Sequence, residues 1–165
     1  MTDARWIEVD DDLDSACFHF HNAAGLADEG GFEAAGLAGY RAQMALLHAM
    51  QSAHTSLEAA LKRILEILGE EAPIGGRSHV DLIRRVSRTV TTPGHVRPAI
   101  LTPDVVRDVD ESRRFRHRAT HGYDNFDPAQ AIPSLEAARR LAASLKPCIL
   151  AFRNEVDPPE PNEGP

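Results

Sequence analysis

Between Leu37 and Leu68, large apolar side chains fall at Leu37, Tyr40, Met44, Leu47, Leu57, Leu61, Ile64, Leu65 and Leu68, mostly three or four positions apart. That spacing draws one face of an α-helix. No proline interrupts the run, and Gly69 follows it, a residue suited to ending a helix in the left-handed conformation. The span predicts the longest helix of the chain. Upstream, a first helix is expected from Asp11 or Asp12 to Leu26, where Asp28-Glu29-Gly30-Gly31 breaks it. Downstream, Pro73 to Ser78 reads as a loop, and Val80, Ile83, Val86 and Val90 predict a shorter helix.

Thr91 to Pro98 holds two prolines and a glycine and is expected to be loop or turn. Thr102-Pro103 then supplies a capping hydroxyl and a proline at the first helical position. The helix it starts is expected to run to His121 and to end at Gly122. A last helix is predicted over Ala131 to Arg153, with Asp127-Pro128 and Pro133 near its start and Pro147 bending it. Glu155 to Pro165 has four prolines and no large apolar residue after Val156, and reads as a disordered tail. With no internal repeat, the organisation is one helical domain, residues 1–154, and a tail, residues 155–165. Four to five helices with short connections predict an all-α, up-and-down bundle.

Composition is ordinary for a globular chain, and few aromatics beside many Ala and Leu favour helices over sheets. Two cysteines, Cys17 and Cys148, cannot build a multi-bridge framework. Met1 to Asp14 is acidic, unlike a secretory leader, and no apolar run has the length of a membrane span. A reducing cytoplasm is the expected location.

The net charge of -7 argues against a nucleic-acid partner, but its distribution argues for one. Residues 1–76 carry 4 basic and 13 acidic side chains, residues 77–121 carry 10 basic and 5 acidic, and residues 122–165 carry 4 basic and 7 acidic. All ten basic residues of the middle segment are Arg, the residue suited to bidentate phosphate contact. A solvated, salt-bridged helix face produces the same clustering, so composition alone does not decide.

The helix from Thr102 carries the candidate chemistry. With Arg116 set at zero on an ideal helix, Val105 and Tyr123 fall near about −20°, Val109 near about +20° and Ser112 near about −40°. Arg116 is therefore expected in the middle of the stripe this helix buries, with Arg107, Arg114 and Arg118 on the solvated side. A guanidinium there needs a partner, because burying it alone is costly. One reading is a structural ion pair with an acid on another helix, Glu58 being the candidate. The other places Arg116 in a cleft or subunit interface, where an anion completes it. His121 falls near about 140° on the same wheel and shares a face with Arg116 only if the last turn unwinds at Gly122. An imidazole and a guanidinium suffice for RNA cleavage without metal. The 2′-hydroxyl is the nucleophile, His121 handles a proton, and Arg116 stabilises charge on the phosphorane.

Arg113-Arg114-Phe115-Arg116-His117-Arg118-Ala119-Thr120-His121-Gly122-Tyr123-Asp124 resembles the signature of the HEPN superfamily, an Arg, a short spacer and a His at the end of a helix. The Tyr two residues after the His is similar to the HepT-like subset. The likeness extends from about residue 10 to Arg153, including Thr55-Ser56-Leu57-Glu58, although only the motif is specific. The resemblance implies a HEPN-like helical bundle and a ribonuclease toxin of a toxin–antitoxin pair. Its catalytic pair would be Arg116 and His121, and no cofactor is expected. It implies a homodimer whose two motifs meet in one cleft. It also implies a minimal nucleotidyltransferase antitoxin that adds AMP to Tyr123, although Tyr123 as a core-capping residue is equally compatible with the sequence. Arg113, Arg118 and His117 are expected to touch the RNA backbone. His117 departs from the many relatives that carry a polar residue such as Asn there.

His117 and His121 also have the spacing of a two-histidine metal site, but without a neighbouring acid the pair reads as incidental and no metal is expected. Gly75-Gly76-Arg77-Ser78 lacks the pattern of a phosphate-binding loop. The rival from another class is a non-catalytic helical module that docks a nucleotidyltransferase or other partner, with Arg116 in an interface ion pair. Salt separates the two, since RNA binding weakens steeply with ionic strength and a packed protein interface does not.

Overall fold

Trp6, Val9, Leu13, Ala16, Phe20 and Ala23 recur at alternating steps of three and four, and all six are buried. They form one seam of helix α1, Ala4–Glu29. The computed structural model describes residues 4–121 and 127–159, with the backbone alone for residues 118–121. Within them α1 is followed by α2 (Leu37–Ile67), α3 (Ser78–Val86), a hairpin of β1 (Val90–Thr92) and β2 (His95–Arg97), α4 (Pro103–His121) and α5 (Pro128–Val156). The architecture is the expected all-α bundle with one small hairpin added.

Helix α1 begins earlier than the sequence predicts. The acidic run from Asp10 to Asp14 is not a cap but a solvated face that ties α1 to its neighbours. Arg63 of α2 donates to Asp12 at 2.8 Å and pairs with Glu8, Lys146 of α5 pairs with Asp14, and Arg153 lies 3.5 Å from Asp10. On the buried side α1 packs against α2 and α5, and α4 packs against α5 and α2. The core they share includes Leu46, Met50, Leu57, Leu61 and Ile64 from α2 and Leu141, Leu145 and Ile149 from α5. Each such side chain contributes about 1.5–3 kcal/mol by leaving water.

Helix α5 starts where Asp127-Pro128 places it, the Asp127 carboxylate accepting from Ala129 N–H at 2.9 Å. It runs to Val156, so the first residues assigned to the tail are helical; residues 160–165 of that tail lie outside the described residues. The stretch expected as loop or turn is an antiparallel hairpin with Thr92 opposite His95. Pro93-Gly94 makes the reversal, with Gly94 at φ 82, the left-handed value such a turn needs at its third residue.

The hairpin is held by Arg97, whose side chain is 1% exposed. Its guanidinium binds both oxygens of Glu70, one of them at 2.9 Å, and donates to the carbonyls of Arg88 at 2.9 Å and Pro98 at 3.0 Å. This arginine, counted in the basic segment by sequence, is an internal strut.

Candidate active site

Among the described side chains of α4, Val105, Asp108, Val109, Ser112 and Phe115 are the buried positions. On an ideal helix they centre near Ser112, about 40° from Arg116. Arg116 thus stands at the edge of the buried stripe rather than in its middle, with 28% of its side chain exposed. Two polar residues shift the stripe. Asp108 is buried under Arg140 of α5, which donates Nε to Oδ2 at 2.9 Å and Nη2 to Oδ1 at 2.8 Å. Ser112 is buried against His54 of α2, its hydroxyl 3.1 Å from Nδ1. Hydropathy leaves Asp108 off an apolar face, whereas Ser112 already falls on the stripe the sequence predicts. As expected of solvated residues, Arg107 and Arg114 are exposed, and each pairs with an acid on its own helix.

The buried edge of Arg116 faces Glu58, four residues after His54 on the inner side of α2, and Nη1 lies 3.6 Å from Glu58 Oε2. The other carboxylate oxygen is shared by two imidazoles. His54 Nε2 is 3.1 Å from Oε1, and Nδ1 of His79, near the start of α3, is 2.5 Å from the same atom. Burial of the Glu58 carboxyl works against ionisation, but the hydrogen bonds and charges of His54 and His79 outweigh it and bring its pKa down to about 2. Glu58 is therefore a carboxylate at neutral pH and only accepts hydrogen bonds. Both facing ring nitrogens must carry hydrogen. With Nε2 protonated, a neutral His54 ring offers Nδ1 to the Ser112 hydroxyl, so the chain from Ser112 to Glu58 is satisfied at each step.

Above this carboxylate opens a solvent-connected cleft of about 390 Å³, lined by Gly76, Arg77, His79, Val80, Arg113, Arg116 and His117. Five of the seven can be cationic. Arg113 and His117 flank Arg116 on the side of α4 that turns toward α3. Arg113 is steadied by Asp110, to which its Nε donates at 2.9 Å. The sequence-predicted residues Arg113, Arg116 and His117 thus share one cleft. The backbone of α4 stays helical through His121, so it does not unwind ahead of that residue. The side chains of Arg118 and His121, and Tyr123 entirely, lie outside the described residues. Among the described residues, no group of three His, Cys, Asp or Glu side chains could hold a metal ion.

Sequence reasoning missed Arg77 and His79, which the loop before α3 brings to the cleft from far along the chain. Their only signal was a negative one: Gly75-Gly76-Arg77-Ser78 fails as a phosphate loop, which left the segment without a role.

A family model described as HepT-like protein matches residues 45–156. The chain belongs to the HepT-like family. The match begins inside α2, ends with α5, and takes in Glu58, His79 and Arg116. Helix α1, outside the match, nonetheless supplies one side of the core. No curated protein and no solved structure matches the chain. The HEPN-like fold read from the motif and helix pattern is the family's fold, and no helix among the described residues is long and apolar enough to cross a membrane.

Proposed function

We propose that this HepT-like protein is a metal-independent RNA endonuclease of the cytoplasm, the toxin of a toxin–antitoxin pair. The observation that carries the reading is the placing of Arg116 at the wall of an open cleft with Arg77, Arg113 and two imidazoles around it. A phosphodiester entering the cleft meets positive charge on several sides. Arg116 binds the phosphate and stabilises the added charge of the phosphorane, the 2′-hydroxyl of the RNA attacks, and His121 transfers a proton. Arg113, Arg118 and His117 hold the neighbouring backbone, which fixes register without reading sequence.

Two copies acting together complete the reading, their motifs meeting in one composite cleft. A nucleotidyltransferase antitoxin silences the toxin by adding AMP, with its bulk and negative charge, to Tyr123, two residues beyond His121 in the sequence.

One contact favours the rival reading of a non-catalytic module: the ion pair of Arg116 with Glu58, which satisfies the guanidinium within one chain. That pair is loose. Its 3.6 Å approach exceeds hydrogen-bond reach, whereas Arg140 grips Asp108 at 2.8 and 2.9 Å.

The deciding experiment is cleavage of a mixed cellular RNA pool in EDTA by the purified chain, its Tyr123 shown unmodified by intact mass. Arg116→Ala and His121→Ala run beside it. Cutting by the unmutated chain alone is expected. An unmutated chain that leaves the pool intact defeats the ribonuclease reading and gives Arg116 to the docking module.

A further inference from the structure

RNA cleavage by the 2′-hydroxyl needs two proton transfers, one off the nucleophile and one onto the leaving oxygen, and the reading above assigns one of them, to His121. We infer that His79 is the second proton-transfer residue of this cleft, its Nε2 taking the proton of the 2′-hydroxyl while its Nδ1–H stays on Glu58. The inference rests on the ribonuclease reading and extends it to a residue outside the motif.

Three observations carry it. His79 lines the same cleft as Arg116 and is 45% exposed, so a substrate can reach it. Its Nδ1 is fixed on Glu58 Oε1 at 2.5 Å. Because Glu58 is an acceptor only, that contact selects the tautomer with hydrogen on Nδ1 and leaves the lone pair on Nε2, across the ring. A carboxylate behind an imidazole also stabilises the imidazolium formed when Nε2 takes up a proton, the arrangement that makes a histidine an effective base. Finally, the same carboxylate faces Arg116 through its other oxygen, at 3.6 Å. The base and the phosphate-binding cation are therefore positioned by one rigid group. That group is itself held from behind by His54, which is 1% exposed and backed by Ser112.

The step balances. The 2′-O–H bond breaks and its proton goes to His79 Nε2. The 2′-oxygen forms a bond to phosphorus, the bond from phosphorus to the 5′-oxygen breaks, and that oxygen takes a proton from His121. The products are a 2′,3′-cyclic phosphate and a 5′-hydroxyl, and neither water nor an oxidant is consumed.

His79→Asn tests the assignment, because the Asn amide N–H can replace Nδ1–H on Glu58 while offering nothing in place of Nε2. The substrates are an RNA oligonucleotide cut by the unmutated chain and the same oligonucleotide with sulfur replacing the bridging 5′-oxygen at the mapped cut. Sulfur leaves without protonation, so it relieves the loss of an acid but not of a base. On the oxygen substrate His79→Asn should be slower by about 10²-fold or more, the usual contribution of a positioned base. On the sulfur substrate His79→Asn should stay slow while His121→Ala recovers. His79→Ala should regain cleavage on addition of free imidazole, a response that distinguishes a missing base from a damaged fold.

Full activity of His79→Asn overturns the inference and makes His79 a structural partner of Glu58. Recovery of His79→Asn on the sulfur substrate overturns it too, by making His79 the acid. An unmutated chain that cuts no RNA is a different failure, that of the ribonuclease reading itself, and the His79 inference falls with it.

Discussion

Glu58 holds two imidazoles and a guanidinium with two oxygens, and the order of strength among those contacts sets its behaviour. Its carboxyl, ordinarily near 4.5, titrates at about 2 because the His54 and His79 contacts overcome its burial. Glu70 titrates at about 2 as well, chiefly through its hydrogen bond from Arg97. Both values lie below those of an unfolded chain, so the stabilisation is fully present above about pH 4.5 and is lost as pH falls through about 2. Thermal melts of the unmutated chain should drop across that window, and Glu58→Gln should shrink the drop while lowering stability at pH 7. A drop of unchanged size in Glu58→Gln would show that the Glu58 contacts do not hold the fold. Arg97 is a second single-residue case. Arg97→Met takes from Glu70 its bidentate partner, leaving it His95 at 2.9 Å and Arg85 at 3.8 Å, and should lower stability by about 1–3 kcal/mol in denaturant titration, and adding Glu70→Leu should return much of it. A full loss in the double variant would mean that the hairpin depends on the carbonyl contacts of Arg97 instead. Nothing in the sequence separates this arginine from the nine others of residues 77–121, because its partners, Glu70 after α2 and the carbonyls of Arg85 and Arg88, are brought to it only by the fold.

At the level of elements, legibility followed length and apolar period. Helices α2, α4 and α5 are long or sharply capped, and their limits lie close to those the sequence predicts. The hairpin strands have three residues each, too few for alternation to show, and Pro93-Gly94 hides them behind turn chemistry. Helix α1 was cut short because an acid run reads as a cap, although Trp6 and Val9 continue its seam beyond that run. The distinction has consequences for stability. Trp6 is 1% exposed, donates Nε1–H to Asp157 at 2.9 Å and lies under Arg153, whose guanidinium carbon is 4.9 Å from the ring centroid. Trp6→Ala should therefore cost about 3–5 kcal/mol by cavity formation. A helix starting at Asp11 would leave Trp6 in a loose leader, and the same substitution would be silent in a urea titration. Of the site, the α4 half was legible because its residues are close in sequence. Glu58 was named as a possible ion-pair partner. His79 and Arg77 were not found, since only the packing of α3 beside α4 brings them to Arg116.

For the whole molecule the question is how a chain of net charge -7 meets a polyanion. The acidic residues lie mainly before residue 77 and after residue 121, and many of the intervening arginines are already paired: Arg97 with Glu70, Arg107 with Asp104, Arg114 with Asp110. The basic segment therefore presents less positive charge than its composition suggests, and Arg113 and Arg116, themselves paired with Asp110 and Glu58, bring part of it to the cleft beside Arg77. RNA attraction should be short-ranged, arising at the cleft while the rest of the surface repels. Each phosphate neutralised there releases counterions, and the slope of log affinity against log salt falls by about 0.7 for every single-strand contact removed. With a 2′-O-methyl RNA, which cannot be cut through its 2′-oxygen, Arg77→Ala should weaken binding and reduce the slope by about 0.7 without changing the melting temperature. Arg107→Ala, on the solvated face with its side chain 68% exposed, removes the same formal charge and should leave the slope unchanged. Equal effects of the two substitutions would mean that the RNA responds to total charge rather than to the cleft. Binding that ignores salt altogether would show that phosphate contacts do not drive it and would defeat the reading of Arg77, Arg113 and Arg116 as an RNA-facing surface.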